Sequence, residues 1–127
     1  MRIKPLFMVT AVVEVSTGLA LLVSPALVAS ILLGAPFDTA ADSTVGRVAG
    51  AALLALGLAC WRARDDGKSS SASGLVLGRL FYNALAVIVL ADAGLVLHLS
   101  GIGLWPAVVL HTLMAIWCLA LVLMKRA

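Results

Sequence analysis

The sequence predicts an all-α integral membrane protein: a single domain, residues 1–127, in which four transmembrane helices form a compact bundle with a short interfacial helix after the first span. Hydrophobic residues make up 63% of the chain and charged residues 12%, against about 25% charged residues in a typical soluble domain. A soluble domain of this size buries only about 60–70% of its unfolded surface, too little for so much apolar area. The composition also excludes a disordered chain, a disulfide scaffold and a nucleic-acid-binding module.

The first span is predicted over residues 5–23, because a helix of about 19 residues is about 28 Å long and crosses a hydrocarbon core. Ser24-Pro25 is a signal for the start of a new helix, since proline suits the first helical position. We therefore expect a short interfacial helix over 25–33. One long, kinked helix to Leu33 is the alternative.

The second span is predicted over 44–61 and begins after the capping residues Asp42-Ser43-Thr44. Small residues recur along it at helical spacing: Gly46, Gly50, Ala51, Ala55 and Ala59. Small side chains let two helix backbones approach closely in lipid, so this span is expected to pack against another helix, within the bundle or across a dimer. The hydrophilic segment 62–73 follows, and its serine run predicts a flexible connection.

The third span is predicted over 74–97 and begins with a second pair of small residues at helical spacing, Gly74 and Gly78, which we also expect to pack against a helix. Trp105-Pro106 opens the fourth span, predicted over 105–124. Trp61 and Trp105 fall where the chain crosses an interface, as an aromatic belt requires.

The basic residues predict the topology. Seven of the nine flank apolar runs, at the amino terminus, in the connection between the second and third spans, and at the carboxyl terminus: Arg2, Lys4, Arg62, Arg64, Lys68, Lys125 and Arg126. Lysine and arginine beside a span stay on the cytoplasmic side. Both termini are therefore expected in the cytoplasm.

Six charged or strongly polar residues lie within the predicted spans: Glu14, Arg47, Arg79, Asn83, Asp92 and His111. Each charged group inside a span costs about 2.5–3.5 kcal/mol on insertion scales, so it needs a partner or a task. Counting turns from the ends of the spans predicts two ion pairs. Arg47 and Asp92 share a level near the outside, and Glu14 and Arg79 lie nearer the inside.

Glu14 has two interpretations. As the partner of Arg79, it would be a structural latch in the bundle. Thr10 and Thr17 lie on its face of the first span, and a carboxyl group at depth with Asn83 and His111 in reach is typical of proton relays and ligand counter-ions. The candidate ligand- or proton-binding residues are therefore Glu14, Arg79, Asn83, His111, Thr10 and Thr17.

The sequence predicts no catalytic residues, no metal site and no cofactor. Cys60 and Cys118 have no metal-ligand spacing and are expected to pack as buried thiols. His98 and His111 suggest a haem, but they fall at different depths, whereas two axial ligands should face each other at one level. No nucleophile triad or phosphate-binding loop is present.

Two resemblances are carried by short motifs. The segment Ala11-Val-Val-Glu14-Val-Ser-Thr-Gly18 resembles the first-helix glutamate motif of small multidrug resistance transporters, which would make Glu14 a proton- and cation-binding carboxylate. Over the whole chain the layout resembles DoxX-like four-helix bacterial inner-membrane proteins. That likeness is carried by Pro25 through Leu32-Leu33-Gly34, by Arg47-Val-Ala-Gly50 leading into Leu54-Ala-Leu-Gly57, and by Tyr82-Asn83. It implies a multi-pass protein of the bacterial inner membrane.

The function expected from these features is that of a small, non-enzymatic, accessory or assembly-stabilising membrane protein with a polar cluster around Glu14. One alternative is a proton-coupled transporter of small cationic or amphipathic solutes, and another is a protein that binds lipid, quinone or haem. The expected partners are the lipid bilayer and either further copies of the chain or a larger membrane complex, and no nucleic acid.

Overall fold

The computed structural model describes residues 2–126, with the side chain of the flanking base Arg126 outside the described part. The chain forms five helices: α1 (Ile3–Val23), α2 (Pro25–Leu33), α3 (Ala40–Ala63), α4 (Ser70–Leu95) and α5 (Leu104–Arg126). All but α2 contain stretches long and apolar enough to cross a membrane. The predicted four-helix membrane bundle, with a short helix after the first span, is confirmed.

The break after α1 occurs at Ser24, whose backbone leaves the helical region with φ −145° and ψ 77°. Pro25 then takes the first position of α2. The alternative of one long, kinked helix is therefore wrong. Gly34 ends α2 in the left-handed region, at φ 76°, a conformation that glycine adopts without steric cost. Two helices, not one, therefore precede the second span.

Helices α3 and α4 begin earlier than predicted. In α3 the capping residue is Thr39: its hydroxyl accepts from the Asp42 N–H at 3.1 Å, and the Asp42 carboxylate accepts from the Thr39 N–H at 3.2 Å. This reciprocal capping box starts the helix at Ala40, so the cap is Thr39 and not the expected Asp42-Ser43-Thr44, and the helix begins four residues before the predicted span. Similarly, Ser69 caps α4 through a 3.0 Å bond from the Ala72 N–H. The predicted flexible serine run is instead the first turn of α4.

Helices α1 and α3 form one close pair, and α4 and α5 form another. Glycine makes the first pair possible. A Cβ atom added to Gly18 would lie 2.7 Å from the Gly50 carbonyl oxygen, and one added to Gly50 would lie 2.8 Å from the Gly18 oxygen. The two backbones thus touch directly, as small residues permit in lipid.

The other small residues predicted to pack helices divide into two groups. Gly46 is buried against the Phe37 ring and Pro25, at the start of α2. Ala55, Gly74 and Gly78 are exposed, and a Cβ at either Gly74 or Gly78 would meet nothing within 4 Å. These three residues do not pack within the bundle, because their helices turn the opposite face inward. Packing across a dimer stays a prediction.

The helix α2 is fixed to the connection between α4 and α5. The Gly103 N–H donates to the Ile31 carbonyl at 2.8 Å, and the Ser100 N–H donates to the Leu33 carbonyl at 3.3 Å. These bonds satisfy carbonyls at the end of α2, which have no partner within their own helix. The connection lies so close to α2 that a side chain at Gly101 would collide with the Leu32 backbone.

The two helix pairs meet in an apolar cluster near the end of the bundle where α1 begins. Its members come from all four long helices and include Phe7, Cys60, Val76 and Cys118. At the same end Lys4, at the start of α1, contacts Asp65 in the connection between α3 and α4 at 2.7 Å. The start of α1, the end of α5 and this connection lie on one side of the bundle, which we call the basic end.

The contact between α1 and α3 predicts a difference between two glycines. Gly50→Ala should lower the free energy of unfolding by about 1–3 kcal/mol, because its Cβ overlaps the α1 backbone. Gly78→Ala is the matched control: it adds the same methyl group to open space and should leave stability unchanged or raised. Thermal unfolding in detergent measures both. Equal behaviour of the two variants would contradict close packing at Gly50.

Candidate functional site

The interior of the bundle holds a buried ion pair between the two helix pairs. Arg79 Nη2 on α4 lies 2.6 Å from Glu14 Oε1 on α1, and each side chain is 2% exposed. Both residues occupy the inward face of their helix, Glu14 between the buried Ala11 and Gly18, and Arg79 between the buried Val76 and Asn83. The structure thus contains the predicted inner pair. The contact is an ion pair without the alignment of a hydrogen bond.

Asn83 connects this pair to α5. Its Nδ2 donates to the Arg79 carbonyl at 2.8 Å, and its Oδ1 accepts from His111 Nδ1 at 2.8 Å. Because the Asn83 oxygen can only accept, His111 Nδ1 carries the proton of this hydrogen bond. Predicted site residues on α4 and α5 are therefore joined by hydrogen bonds.

Tyr82 completes the cluster, and sequence reasoning did not include it among the site residues. The Arg79 guanidinium carbon lies 4.7 Å from the centre of the Tyr82 ring, within cation–π range. The same ring meets His111 edge to face, with centres 5.7 Å apart and planes at 73°. The sequence offered one signal for Tyr82, its position next to Asn83, but adjacent residues in a helix usually point to different sides. In the structure Tyr82 is half-buried and lies beside Arg79 and His111.

Several buried donors in the interior have no acceptor among the described residues. They are Arg79 Nε and Nη1, the hydroxyl of Thr10, and Trp117 Nε1. Thr10 is fully buried one turn from Glu14, as its predicted place on that face requires. Thr17 is half-buried. Trp117 was missed because the sequence does not distinguish a tryptophan whose indole N–H is buried in the bundle from one that faces lipid.

The predicted outer pair is not formed. Arg47 is exposed and its Nε donates to the Leu22 carbonyl at 3.2 Å. Leu22 lies in the last turn of α1, whose carbonyls lack helical partners and attract a cation. Asp92 is also exposed, on α4, and takes part in no ion pair among the described residues. Counting turns gave the two residues a common level, but their helices belong to different close pairs, α1 with α3 and α4 with α5.

The remaining predicted candidates are spread out. His98 is exposed in the connection after α4, with a left-handed φ of 54°, so it does not face His111. Cys60 and Cys118 are buried free thiols in the apolar cluster. Within residues 2–126, no group of three or more histidine, cysteine or acidic side chains is placed to hold a metal ion.

Comparison with known proteins adds no relative: no family model, curated protein or solved structure matches this chain. The chemistry of the site is therefore argued from its geometry. The carboxylate of Glu14 is held by a cation, and an arginine remains charged at all accessible pH values. Such a pair joins helices, and the adjacent unpartnered donors can bind an oxygen acceptor.

The buried pair predicts strong coupling between its members. Glu14→Gln or Arg79→Gln alone should cost about 3–5 kcal/mol of unfolding free energy, because each leaves an uncompensated charge in the interior. The double variant should cost clearly less than the sum of the two. A double-mutant cycle measured by unfolding in detergent gives the coupling energy.

The exposed pair Lys4 and Asp65 is the control for this cycle. Its members are more than half exposed, and exposed pairs couple by about 1 kcal/mol or less. If the cycle of Glu14 and Arg79 gave no larger coupling than this surface pair, the interior contact would not be a latch.

Proposed function

We propose that this chain is a small, non-enzymatic accessory membrane protein that works by associating with a second copy of itself in the bilayer. The observation that carries the proposal is the closed ion pair of Glu14 and Arg79. A carrier that exchanges a proton for a cation needs a carboxylate free to release one for the other. Here a permanent cation occupies that carboxylate at 2.6 Å, which favours a structural interior and leaves association to the outer surface.

The outer surface carries two opposite charges suited to pair between copies. Arg47 on α3 and Asp92 on α4 are exposed at the end of the bundle away from the basic end. Arg47 reaches the last turn of α1, and Asp92 lies one turn before the end of α4, so their levels agree. In a symmetric dimer each residue would meet its opposite on the other copy, giving two pairs at once. That pairing removes the cost of charges facing lipid.

Small residues lie on the helix faces that carry the two charges, those of α4 in its first turns and Asp92 in its last. Ala51 and Ala55 are exposed on the side of α3 that carries Arg47, and Gly74 and Gly78 lie on the face of α4 that carries Asp92. The open space beside these two glycines allows a neighbouring helix to approach closely. The charges set which helix meets which, and the small residues permit the contact.

Charge reversal tests the dimer. Arg47→Asp and Asp92→Arg should each reduce association in the bilayer by about tenfold or more, because like charges then meet. The double reversal should restore it, since the pairs reform with exchanged signs. Energy transfer between labelled copies in liposomes measures association. Asp38→Arg, an exposed acid at the same end, is the control and should have no effect.

The dimer is contradicted if the double reversal stays as weak as the single variants, or if the wild-type chain is monomeric at every protein-to-lipid ratio. Thermal unfolding of each variant separates loss of association from loss of the fold. Arg47→Asp also removes the bond to Leu22, so restoration by Asp92→Arg is the decisive comparison.

A second candidate function is binding of a quinone or lipid oxygen inside the bundle. It is favoured by the buried donors of Arg79, Thr10 and Trp117 that have no acceptor among the described residues. Organic extraction of the purified protein should then yield one such molecule per chain, and the double variant Glu14→Gln, Arg79→Gln should yield none. We also propose that the chain is a DoxX-like four-helix protein, a likeness supported by the layout of the bundle.

We also propose that the protein lies in the bacterial inner membrane with its basic end in the cytoplasm. Support comes from the grouping of both chain ends and the α3–α4 connection on one side. A cysteine introduced as Asp38→Cys should react with an impermeant maleimide in intact spheroplasts, and Asp66→Cys only after permeabilisation. The native thiols are buried. The reverse labelling pattern would overturn the orientation.

A further inference from the structure

The basic end of the bundle contains a cleft of about 690 Å³ that no step of the proposed function uses. The starts of α1 and the α3–α4 connection form its walls together with the last turns of α5. Five basic side chains line it: Arg2, Lys4, Arg64, Lys68 and Lys125. Such a density of cations in one concavity attracts an anion.

The cleft contains the whole net charge of the protein. Asp65 and Asp66 also line it, so its formal charge is +3, equal to the net charge of the chain. The four other basic and four other acidic residues cancel. The excess of positive charge in this chain therefore lies at the basic end.

Some of these cations are already engaged and others are free. Lys4 and Arg64 contact Asp65 at 2.7 and 3.5 Å, and the hydrogen bond from Lys4 lowers the pKa of Asp65, which therefore stays ionised at neutral pH. Arg64 also lies over the Trp61 ring. Arg2 and Lys68 have no ion pair among the described residues. These two are the donors available to a bound anion.

The cleft continues into an apolar groove. A second cavity of about 200 Å³ shares Ile3, Leu121 and Lys125 with the cleft and extends along Val76, Leu77 and Val122. Its walls are α4 and α5 with the start of α1. Besides the three shared residues and Ser73, it is lined by Val76, Leu77 and Val122, which lie within the apolar parts of the spans. A cationic opening thus leads into an apolar slot at the level of the helix ends, where lipid headgroups meet acyl chains.

We infer that this cleft and groove together bind one anionic phospholipid, with the phosphate among the basic side chains and an acyl chain in the groove. Phosphate chemistry alone would fit a free phosphate ion as well, but an ion has no use for the groove. A zwitterionic lipid would fill the groove but would gain little from a cleft of net positive charge. The inference is independent of the proposed dimer, whose charges lie at the other end of the bundle.

Native mass spectrometry of the purified protein in detergent tests the site. The ligands are phosphatidylglycerol, phosphatidylcholine with the same acyl chains, and inorganic phosphate. We expect one phosphatidylglycerol per chain, bound about tenfold or more tightly than phosphatidylcholine, and no competition by equimolar phosphate. Equal binding of the two lipids would overturn the inference, as would full competition by inorganic phosphate, which would indicate a free-anion site.

Two variants separate the headgroup from the acyl chain. Arg2→Gln with Lys68→Gln should weaken phosphatidylglycerol binding by about tenfold or more, because the two cations available to the phosphate are removed. Val122→Trp should fill the groove and weaken phosphatidylglycerol while leaving glycerol 3-phosphate, which lacks acyl chains, unaffected. An unchanged affinity in either variant would overturn its half of the site.

Arg62→Gln is the matched control. Arg62 is an exposed basic residue in the last turn of α3 that does not line the cleft. The Arg62→Gln variant should bind phosphatidylglycerol with unchanged affinity. A loss of affinity equal to that of the Arg2 and Lys68 variant would show a general attraction of the lipid to positive charge and would contradict a defined site. Thermal unfolding without added lipid establishes that each variant is folded.

Discussion

The buried contact between Glu14 and Arg79 is the constraint on which the interior of this bundle depends. Neither charge is tolerable alone at 2% exposure, so α1 and α4 must keep these two residues face to face. The remaining polar contacts follow from that placement. The Arg79 carbonyl accepts from Asn83, which orients His111, and the Arg79 guanidinium lies against Tyr82. Rotating α4 about its axis would break its polar contacts with other helices, from Arg79 to Glu14 and from Asn83 to His111.

The bundle uses two different physical means of holding helices together. Between α1 and α3 the backbones touch at Gly18 and Gly50, so the pair is held by dispersion over a close contact. Between the two helix pairs, side chains fill the space, with the apolar cluster near the basic end and the ion pair deeper in the span. In lipid no hydrophobic force drives helices together. The buried ion pair therefore supplies the specificity that burial supplies in water.

The spans and the inner ion pair could be predicted because each depends only on the position of a residue along its helix. Apolar length fixes the spans, and the cost of a charge in lipid requires Glu14 and Arg79 to meet at their common level. The failure at Arg47 and Asp92 has the same origin. Level says nothing of which helices pack against each other, and the unpartnered carbonyls of α1, the close neighbour of α3, offered Arg47 a nearer acceptor at Leu22. Capping likewise starts α3 and α4 four residues early, at 40 and 70 rather than 44 and 74, because a polar first turn carries no hydrophobic signal.

The distribution of charge along the bundle separates its two proposed contacts. Within each helix pair the members run antiparallel, so their macrodipoles oppose one another, and the asymmetry of the protein comes from side chains. The basic end holds the +3 cleft, the interior pair is neutral, and the opposite end carries Arg47 with Asp38, Asp42 and Asp92. The two ends are separated by the length of a span, about 30 Å for the 21 residues of α1. This distance is several times the Debye length of about 8 Å, within which salt screens charges exposed to each aqueous phase. A lipid bound at the basic end and a second copy paired at the other can therefore be altered one at a time, each by substitutions that leave the ion pair between them intact.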